Sequence, residues 1–554
     1  MHPRPRSDRY QPLPSSDVQD LAPSYDVGTN HSNQQLESEG TRRSLQERHL
    51  SMIALAGMIG TGLFLSSGKA LAQAGPLGCV FGFIIMGTVT ASIAYIAAEM
   101  SAFKPVGGGF VRHANMWLDE SSGITIGWNF WYSMAVTMPT EISAATTLLT
   151  YWKPGMNQFI PITILWAIIV AINLSPVRVY GEFEFYLAFC KITLIVCFII
   201  AGIVVDLGGF SGQERLGFRY WQEPYPLFKE YVLTGFGGRF LGFWSAMISA
   251  AFAYGNVQVV AMAGAETQNP RASIPAALKK TFARVVIFYV ASIFVISLTV
   301  PSNDERLYHP TGDVTHSPFI LAFSRAGFKA LPSVINAVVF SSAFSSGNSC
   351  SFLASRALHG LALDGHAPSI FLKLNRFGVP YVAVAASVAW GIVAYSSLNK
   401  GAFQAFLWLV SLVTTSGIVC WIVLCITYLR FFYALQVQKV PRDSLPYRSP
   451  WQPYLTYYAL IMNILILVFS GWDAFSPAFD LSRFVSNYFN CLFYPIAYMG
   501  CKLWFKDSII SLTNIDFTTE LGIMEQEQVN ADLGISEESN ISASKYDKWL
   551  NRFF

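Results

Sequence analysis

The chain has 554 residues, 53% of them hydrophobic, 15% aromatic and only 13% charged, with a formal net charge of +3 and a mean hydropathy of +0.40. Soluble domains carry about 25% charged residues, so most of this surface is built to face lipid. A balance of +3 gives no basis for nucleic-acid binding. The eight cysteines form no CxxC or His/Cys cluster, so neither a disulfide framework nor a metal site is indicated, and no cofactor is expected. No HExxH or paired-carboxylate cleft is evident, which argues against a membrane enzyme.

Residues 1–45 are polar and rich in Ser, Gln, Asp and Pro, the composition of a disordered tail rather than of a signal peptide. Arg42, Arg43 and Arg48 precede the first apolar segment and place that tail in the cytosol. About twelve apolar segments follow, each near the roughly 20 residues that cross a bilayer. They are predicted near 50–70, 77–103, 124–149, 159–177, 183–206, 243–265, 284–301, 333–357, 380–397, 403–431, 454–470 and 484–505. Basic residues cluster in alternate connections, for example Arg271, Lys279, Lys280 and Arg284, then Arg430, Lys439, Arg442 and Arg448. That alternation predicts both termini in the cytoplasm. The expected division is a tail over 1–45, a transmembrane domain over 46–510 and a cytoplasmic tail over 511–554. The fold class is all-α and polytopic, in a lipid bilayer.

The first segment holds Gly57-Met58-Ile59-Gly60-Thr61-Gly62. Each glycine costs about 1 kcal/mol against alanine in a helix interior, and loose backbone at membrane depth survives only where it lines a cavity. The pattern predicts a helix broken at mid-membrane, restarting near Thr61. The N–H groups of Thr61, Gly62 and Leu63 would then form an anion site at a helix start. A close-packing face between helices is the competing reading. A second irregular stretch, Ala251-Phe252-Ala253-Tyr254-Gly255-Asn256-Val257-Gln258, places polar side chains at mid-span, where they usually face a cavity. Paired interruptions in spans one and six point to a transporter site between two repeats.

Several further stretches stand in order: Gly60-Thr61-Gly62-Leu63-Phe64, Pro139-Thr140-Glu141-Ile142-Ser143, Tyr180-Gly181-Glu182-Phe183-Glu184-Phe185, Asn269-Pro270-Arg271 and Leu445-Pro446-Tyr447-Arg448. With them the chain resembles the fungal amino acid permeases of the amino acid–polyamine–organocation superfamily over about residues 45–510. The resemblance implies a five-plus-five inverted-repeat core with broken helices 1 and 6 and two extra helices. It also implies proton-driven uptake of amino acids, with the plasma membrane as the expected location. One departure lies at the site. Where such permeases usually read Gly-Thr-Glu in span six, this chain reads Asn256-Val257-Gln258.

An amino-acid site needs a carboxylate cradle, an ammonium cradle and a variable pocket. The N–H groups of Thr61, Gly62 and Leu63 suit the carboxylate, and the freed carbonyls of Ala56, Phe252 and Ala253 suit the ammonium. Phe252 and Tyr254 match positions that in relatives cover the substrate as a gate, against a reading as packing aromatics. Asn256 is expected to meet the substrate side chain, beside Gln258. By resemblance Lys191 in span five is the candidate for proton coupling, against a reading in which it snorkels to the interface. Glu99 and Glu141 lie near predicted span ends, where a bland reading as solvated or packing acids weighs at least as much as a part in coupling.

The loss of the acid at position 258 predicts neutral or polar substrates ahead of lysine and arginine. A non-transporting receptor of the same fold and an amino-acid exchanger are the alternatives to a proton symporter. Residues 1–68 contain no lysine. A ubiquitin ligase adaptor acting on this protein would therefore need acceptors in cytoplasmic loops or the C-terminal tail.

Overall fold

The structure is a computed structural model that describes residues 59–106, 108–209, 214–259, 270–308, 317–328, 330–398, 402–475 and 478–532. The regular structure of the described residues is helical throughout. A π-helical turn, Gly62–Ser66, leads into α1 (Ser67–Phe103), followed by α2 (Phe110–Trp117), α3 (Glu120–Leu149), α4 (Phe159–Leu174), α5 (Val177–Asp206) and α6 (Gly235–Ala253). The second part comprises α7 (Pro270–Thr299), α8 (Glu305–Tyr308), α9 (Pro318–Arg325), α10 (Leu331–Leu363) and α11 (Tyr381–Val388), which continues as a 3-10 helix over Ala389–Leu398. Then come α12 (Ala402–Val437), α13 (Tyr454–Val468), α14 (Leu481–Phe505) and α15 (Thr518–Asp532). Among the described residues, five stretches are long and apolar enough to cross a membrane: Gly62–Phe103, Val179–Asp206, Tyr381–Leu398, Phe406–Val437 and Tyr454–Phe475.

Other helices are as long but carry polar residues, and those residues are buried. α3 has Ser133, Thr137, Thr140 and Ser143, and α10 has Ser342, Ser345, Ser346, Asn348 and Ser349. In α3 the hydroxyls are satisfied within the helix. Thr137 donates to Ser133 O at 2.7 Å and Thr140 to Val136 O at 2.8 Å, the back-bonding that lets Ser and Thr sit in an apolar setting. α3 lies along α10 and α12, whereas α1 lies along α6 and α7. The outer helices show large apolar residues such as Ile160 and Ile164 on α4 or Ile461 on α13, as lipid-facing surfaces do.

The first two predicted segments meet at a kink. Gly75 has φ 76°, a left-handed value that favours glycine, immediately before Pro76. The backbone groups freed there are taken up by the loop before α6. Leu77 N donates to Leu227 O at 3.1 Å, and Lys229 N donates to Ala74 O at 3.0 Å.

Within residues 511–532 the chain packs onto the helix bundle. Ile515 and Phe517 are buried, the Phe517 ring stands edge-on to Phe103 and Phe431, and Glu520 pairs with Lys104 at 3.3 Å and Arg271 at 3.1 Å. Glu99 is wholly buried. It accepts from Arg442 Nη2 at 2.7 and 2.8 Å, Tyr428 Oη at 2.7 Å and Ser449 N at 2.9 Å, so for this acid the packing reading is the one the geometry fits.

Candidate functional site

The two irregular stretches converge on one cavity. It is lined by Gly60 and Gly62 at the entry to α1, Thr137 and Glu141 of α3, and Phe252 and Asn256 at the end of α6. Ser346 of α10 and Gly417 and Trp421 of α12 complete it. Thr61 stands at the start of the helical path into α1. Its N–H donates to Glu141 Oε1 at 3.4 Å, and Ser346 Oγ donates to the same oxygen at 3.1 Å. The other oxygen, Oε2, is buried without a hydrogen-bond partner. A carboxylate of the protein itself thus sits at the helix start, where anions are favoured.

Both glycines here make room for protein. A Cβ built on Gly60 would lie 2.7 Å from Glu141 Oε1 and 2.8 Å from Ser346 Oγ. One built on Gly62 would lie 2.6 Å from the Ala253 Cα. The close-packing reading of Gly62 therefore holds at its α-carbon, while its backbone still borders the cavity. Leu63 is fully buried in the core.

α6 stops at Ala253, and residues 254–258 form turns. Asn256 adopts φ 68°. Asparagine is among the few non-glycine residues that enter this region readily, which explains how a side chain is accommodated where the resemblance leads one to expect glycine. The carbonyls assigned to an ammonium group already have partners. Phe252 O accepts from Gly255 N at 3.2 Å, and Ala253 O accepts from Tyr289 Oη at 3.1 Å. Ala56 lies outside the described residues. Phe252 packs beside Val136, Leu409 and Val413 on the cavity wall. Tyr254 turns away from the cavity, 1% exposed, with its ring 4.9 Å from Tyr289 and 6.1 Å from Phe83. Its surroundings fit the packing reading rather than the gate. Gln258 is buried and reaches α12, where its Oε1 accepts from Trp421 Nε1 at 2.8 Å.

Lys191 is 0% exposed, so it does not snorkel. α5 begins at Val177, earlier than predicted, which puts Lys191 about 21 Å along the helix at 1.5 Å per residue. Its Nζ donates to Ile59 O at 2.9 Å, and Ser342 Oγ of α10 donates to the same carbonyl at 3.3 Å. The irregular stretch before α1 is thereby tied to α5 and α10. Seven residues earlier on the same face of α5, Glu184 is fully buried and accepts from Ser345 Oγ at 2.5 Å and Asn348 Nδ2 at 2.6 Å. Asn348 Oδ1 in turn accepts from Asn173 Nδ2 of α4 at 2.9 Å.

Sequence reasoning gave too little weight to one of these acids and passed over the other. Glu141 was expected near a span end, but α3 keeps it buried on the cavity wall. Its signal was an acid one helical turn from Thr137 on a hydroxyl-rich face. Glu184 was visible only as part of a motif; its heptad spacing from Lys191 was the signal. Trp421 and Gly417 carried none, being an aromatic and a glycine in an apolar helix.

Long apolar helices around an interior rich in hydroxyls, amides and paired charges define a helical integral membrane protein. The sequence pattern of the family described as Amino acid permease matches residues 49–513, and the chain belongs to that family. It is therefore a transporter of amino acids across a membrane, not an enzyme. It is 35% identical over 497 residues to the lysine-specific permease of Saccharomyces cerevisiae, covering 89% of this chain and 81% of that one. To the proline-specific permease of Emericella nidulans it is 35% identical over 491 residues, 87% and 89% of the two chains. To the dicarboxylic amino acid permease of Saccharomyces cerevisiae it is 33% identical over 533 residues, 94% and 87%.

Proposed function

We propose that this protein imports amino acids by proton symport, alternating access to the cavity between the two sides of the plasma membrane. The core is read as two inverted five-helix repeats, with helices 1 and 6 broken and two helices added. The observation that carries the reading is Lys191. A buried ammonium held on the Ile59 carbonyl, with Ser342 on the same oxygen, sits where loss or gain of one proton changes how α5 and α10 grip the irregular stretch. A buried lysine can shift its pKa readily, so it can load and release a proton during a cycle.

The substrate carboxylate is assigned to the helix start at Thr61, Gly62 and Leu63, and the ammonium to the opposite carbonyls at Ala56, Phe252 and Ala253. Glu141 Oε2, with no partner of its own, is an additional acceptor for the ammonium. Phe252 and Asn256 line the variable pocket. One proton moving inward through 100 mV releases about 2.3 kcal/mol, and one pH unit adds about 1.4 kcal/mol. Together these hold a neutral amino acid at a few hundredfold excess inside.

The test is uptake of labelled amino acids into proteoliposomes containing the purified protein. An imposed inward proton gradient should drive accumulation, and a protonophore should abolish it. Equal exchange of internal for external substrate with no response to the gradient would favour an exchanger instead.

A further inference from the structure

The reading of the cavity as the substrate site leaves open what decides which side chains fit. One wall comes from α12. Val413, Thr414, Gly417, Ile418 and Trp421 all face the cavity; Gly417 and Trp421 are four residues apart and so lie on the same helix face, one turn from each other. Most glycines around this site are hemmed in, as Gly60 and Gly62 are. Gly417 is not: a Cβ built on it meets nothing within 4 Å. It marks open room on a wall whose one polar side chain, Thr414, is turned back onto its own helix, with Thr414 Oγ1 donating to Val410 O at 2.6 Å.

Trp421 closes that room, and its indole is not free to swing. The indole N–H can only donate, and it donates to Gln258 Oε1 at 2.8 Å. Both residues are 1% exposed, so this bond is made away from competing water and fixes which way the amide faces. Gln258 comes from the irregular stretch after α6, two residues beyond Asn256 with its left-handed backbone. A contact between the broken helix and α12 therefore sets the tilt of the ring.

We propose that the space over Gly417 houses an apolar substrate side chain, that Trp421 is the end-stop of that space, and that Gln258 is a positioning residue acting through Trp421. This deepens the reading given under Proposed function and rests on it. The substrates it selects are neutral amino acids with aliphatic or aromatic side chains, graded by length rather than by charge. Filling the space from Gly417 should exclude long side chains. Loosening Trp421 should blur the discrimination between long and short ones.

The experiment measures KM and maximal rate per surface molecule for alanine, leucine and phenylalanine. In Gly417→Val, KM for leucine and phenylalanine should rise at least tenfold more than that for alanine. In Gln258→Met, which keeps the length but loses the acceptor, the phenylalanine-to-alanine KM ratio should change at least fivefold, with the effect in KM rather than in maximal rate. Gln258→Glu keeps an acceptor for the indole and should retain the wild-type ratio. Trp421→Phe keeps the ring but loses the donor, so combined with Gln258→Met it should add nothing to the change either makes alone. An unchanged ratio in Gly417→Val overturns the placement of the side chain. Additive effects of Gln258→Met and Trp421→Phe overturn the positioning role. Wild-type protein that transports none of these three but takes up charged amino acids would overturn the substrate class inferred here. One that transports no amino acid at all would sink the transport reading itself. Normal wild-type uptake with every variant ratio unchanged would sink only this inference.

Discussion

Gly62 and Ala253 bring two irregular stretches into backbone contact: a Cβ on the first would stand 2.6 Å from the Cα of the second. Overpacking a site of this kind costs about 1–3 kcal/mol. Gly62→Ala should lower the melting temperature in detergent and reduce uptake of every substrate together, and Gly62→Val should do both more severely. Normal melting and uptake in Gly62→Val would mean that these segments are not in contact in the working protein.

Replacing Lys191 separates charge from proton exchange. Lys191→Met removes the donor to Ile59 O, and should abolish accumulation against a gradient and flatten the pH dependence of uptake while exchange persists. Arginine keeps the charge but does not deprotonate at accessible pH. Lys191→Arg should therefore also fail to accumulate. Proton-driven accumulation by the arginine variant would show that position 191 supplies only a fixed charge.

At Asn256 the backbone limits what can be substituted. With φ 68°, Asn256→Gly should fold as well as the natural protein. Asn256→Val should lose about 1–2 kcal/mol, because a β-branched side chain crowds the left-handed backbone and lacks the local hydrogen bonds that let asparagine adopt it. Both should reorder the substrate list more than they change total uptake, and lysine and arginine should compete poorly in the natural protein. A competition panel against one labelled neutral amino acid measures this. Strong inhibition by lysine, or the same ranking in both variants, would remove Asn256 from the specificity argument.

His113 of the short connecting helix α2 gives stability a pH dependence. It is fully buried, with Nε2 donating to Lys104 O at 2.8 Å, Nδ1 unpartnered, and its ring stacked on Trp117. Burial, aided by the nearby Lys104 charge and opposed by that hydrogen bond, pushes its pKa down to about 4 from 6.5. The folded state thus holds the ring neutral where the unfolded chain binds a proton. The associated stability is complete above about pH 6.5 and declines as pH falls toward 4, by up to about 1.4 kcal/mol per unit. Thermal melts at pH 7.5 and 5.0 should show a drop for the natural protein that is smaller in His113→Gln. An identical drop in both would assign the pH effect to other groups.

Much of the helical layout was legible from hydropathy alone, because lipid enforces long apolar runs. The predicted segment over 77–103 and α1 share their last residue, Phe103, and α3 and α5 end at Leu149 and Asp206 as expected. The helix starts were less legible. α5 begins six residues before its apolar run and α7 fourteen before, since polar turns at the membrane edge extend a helix without changing its hydropathy. The interruption after Ala253 was visible as a cost: polar residues and glycine at mid-span need a cavity. What could not be read was direction. Nothing in the local sequence says that Tyr254 points at Tyr289 and Asn256 beside it lines the cavity, or that Gln258 reaches Trp421 163 residues further along the chain. Those facts depend on which helix lies opposite, and hydropathy carries no such information.

The docked stretch beyond α14 bears on how the protein can be handled. Phe517 is wedged against Phe103 and Phe431, with ring centroids 5.7 Å from each, and Glu520 holds Lys104 and Arg271. An affinity handle or fluorescent reporter fused beyond residue 532 leaves this clasp in place. A truncation after residue 510 strips two basic side chains of their counter-charge and opens an aromatic seam to water, so shortened versions made for crystallisation should aggregate where the longer protein stays monodisperse.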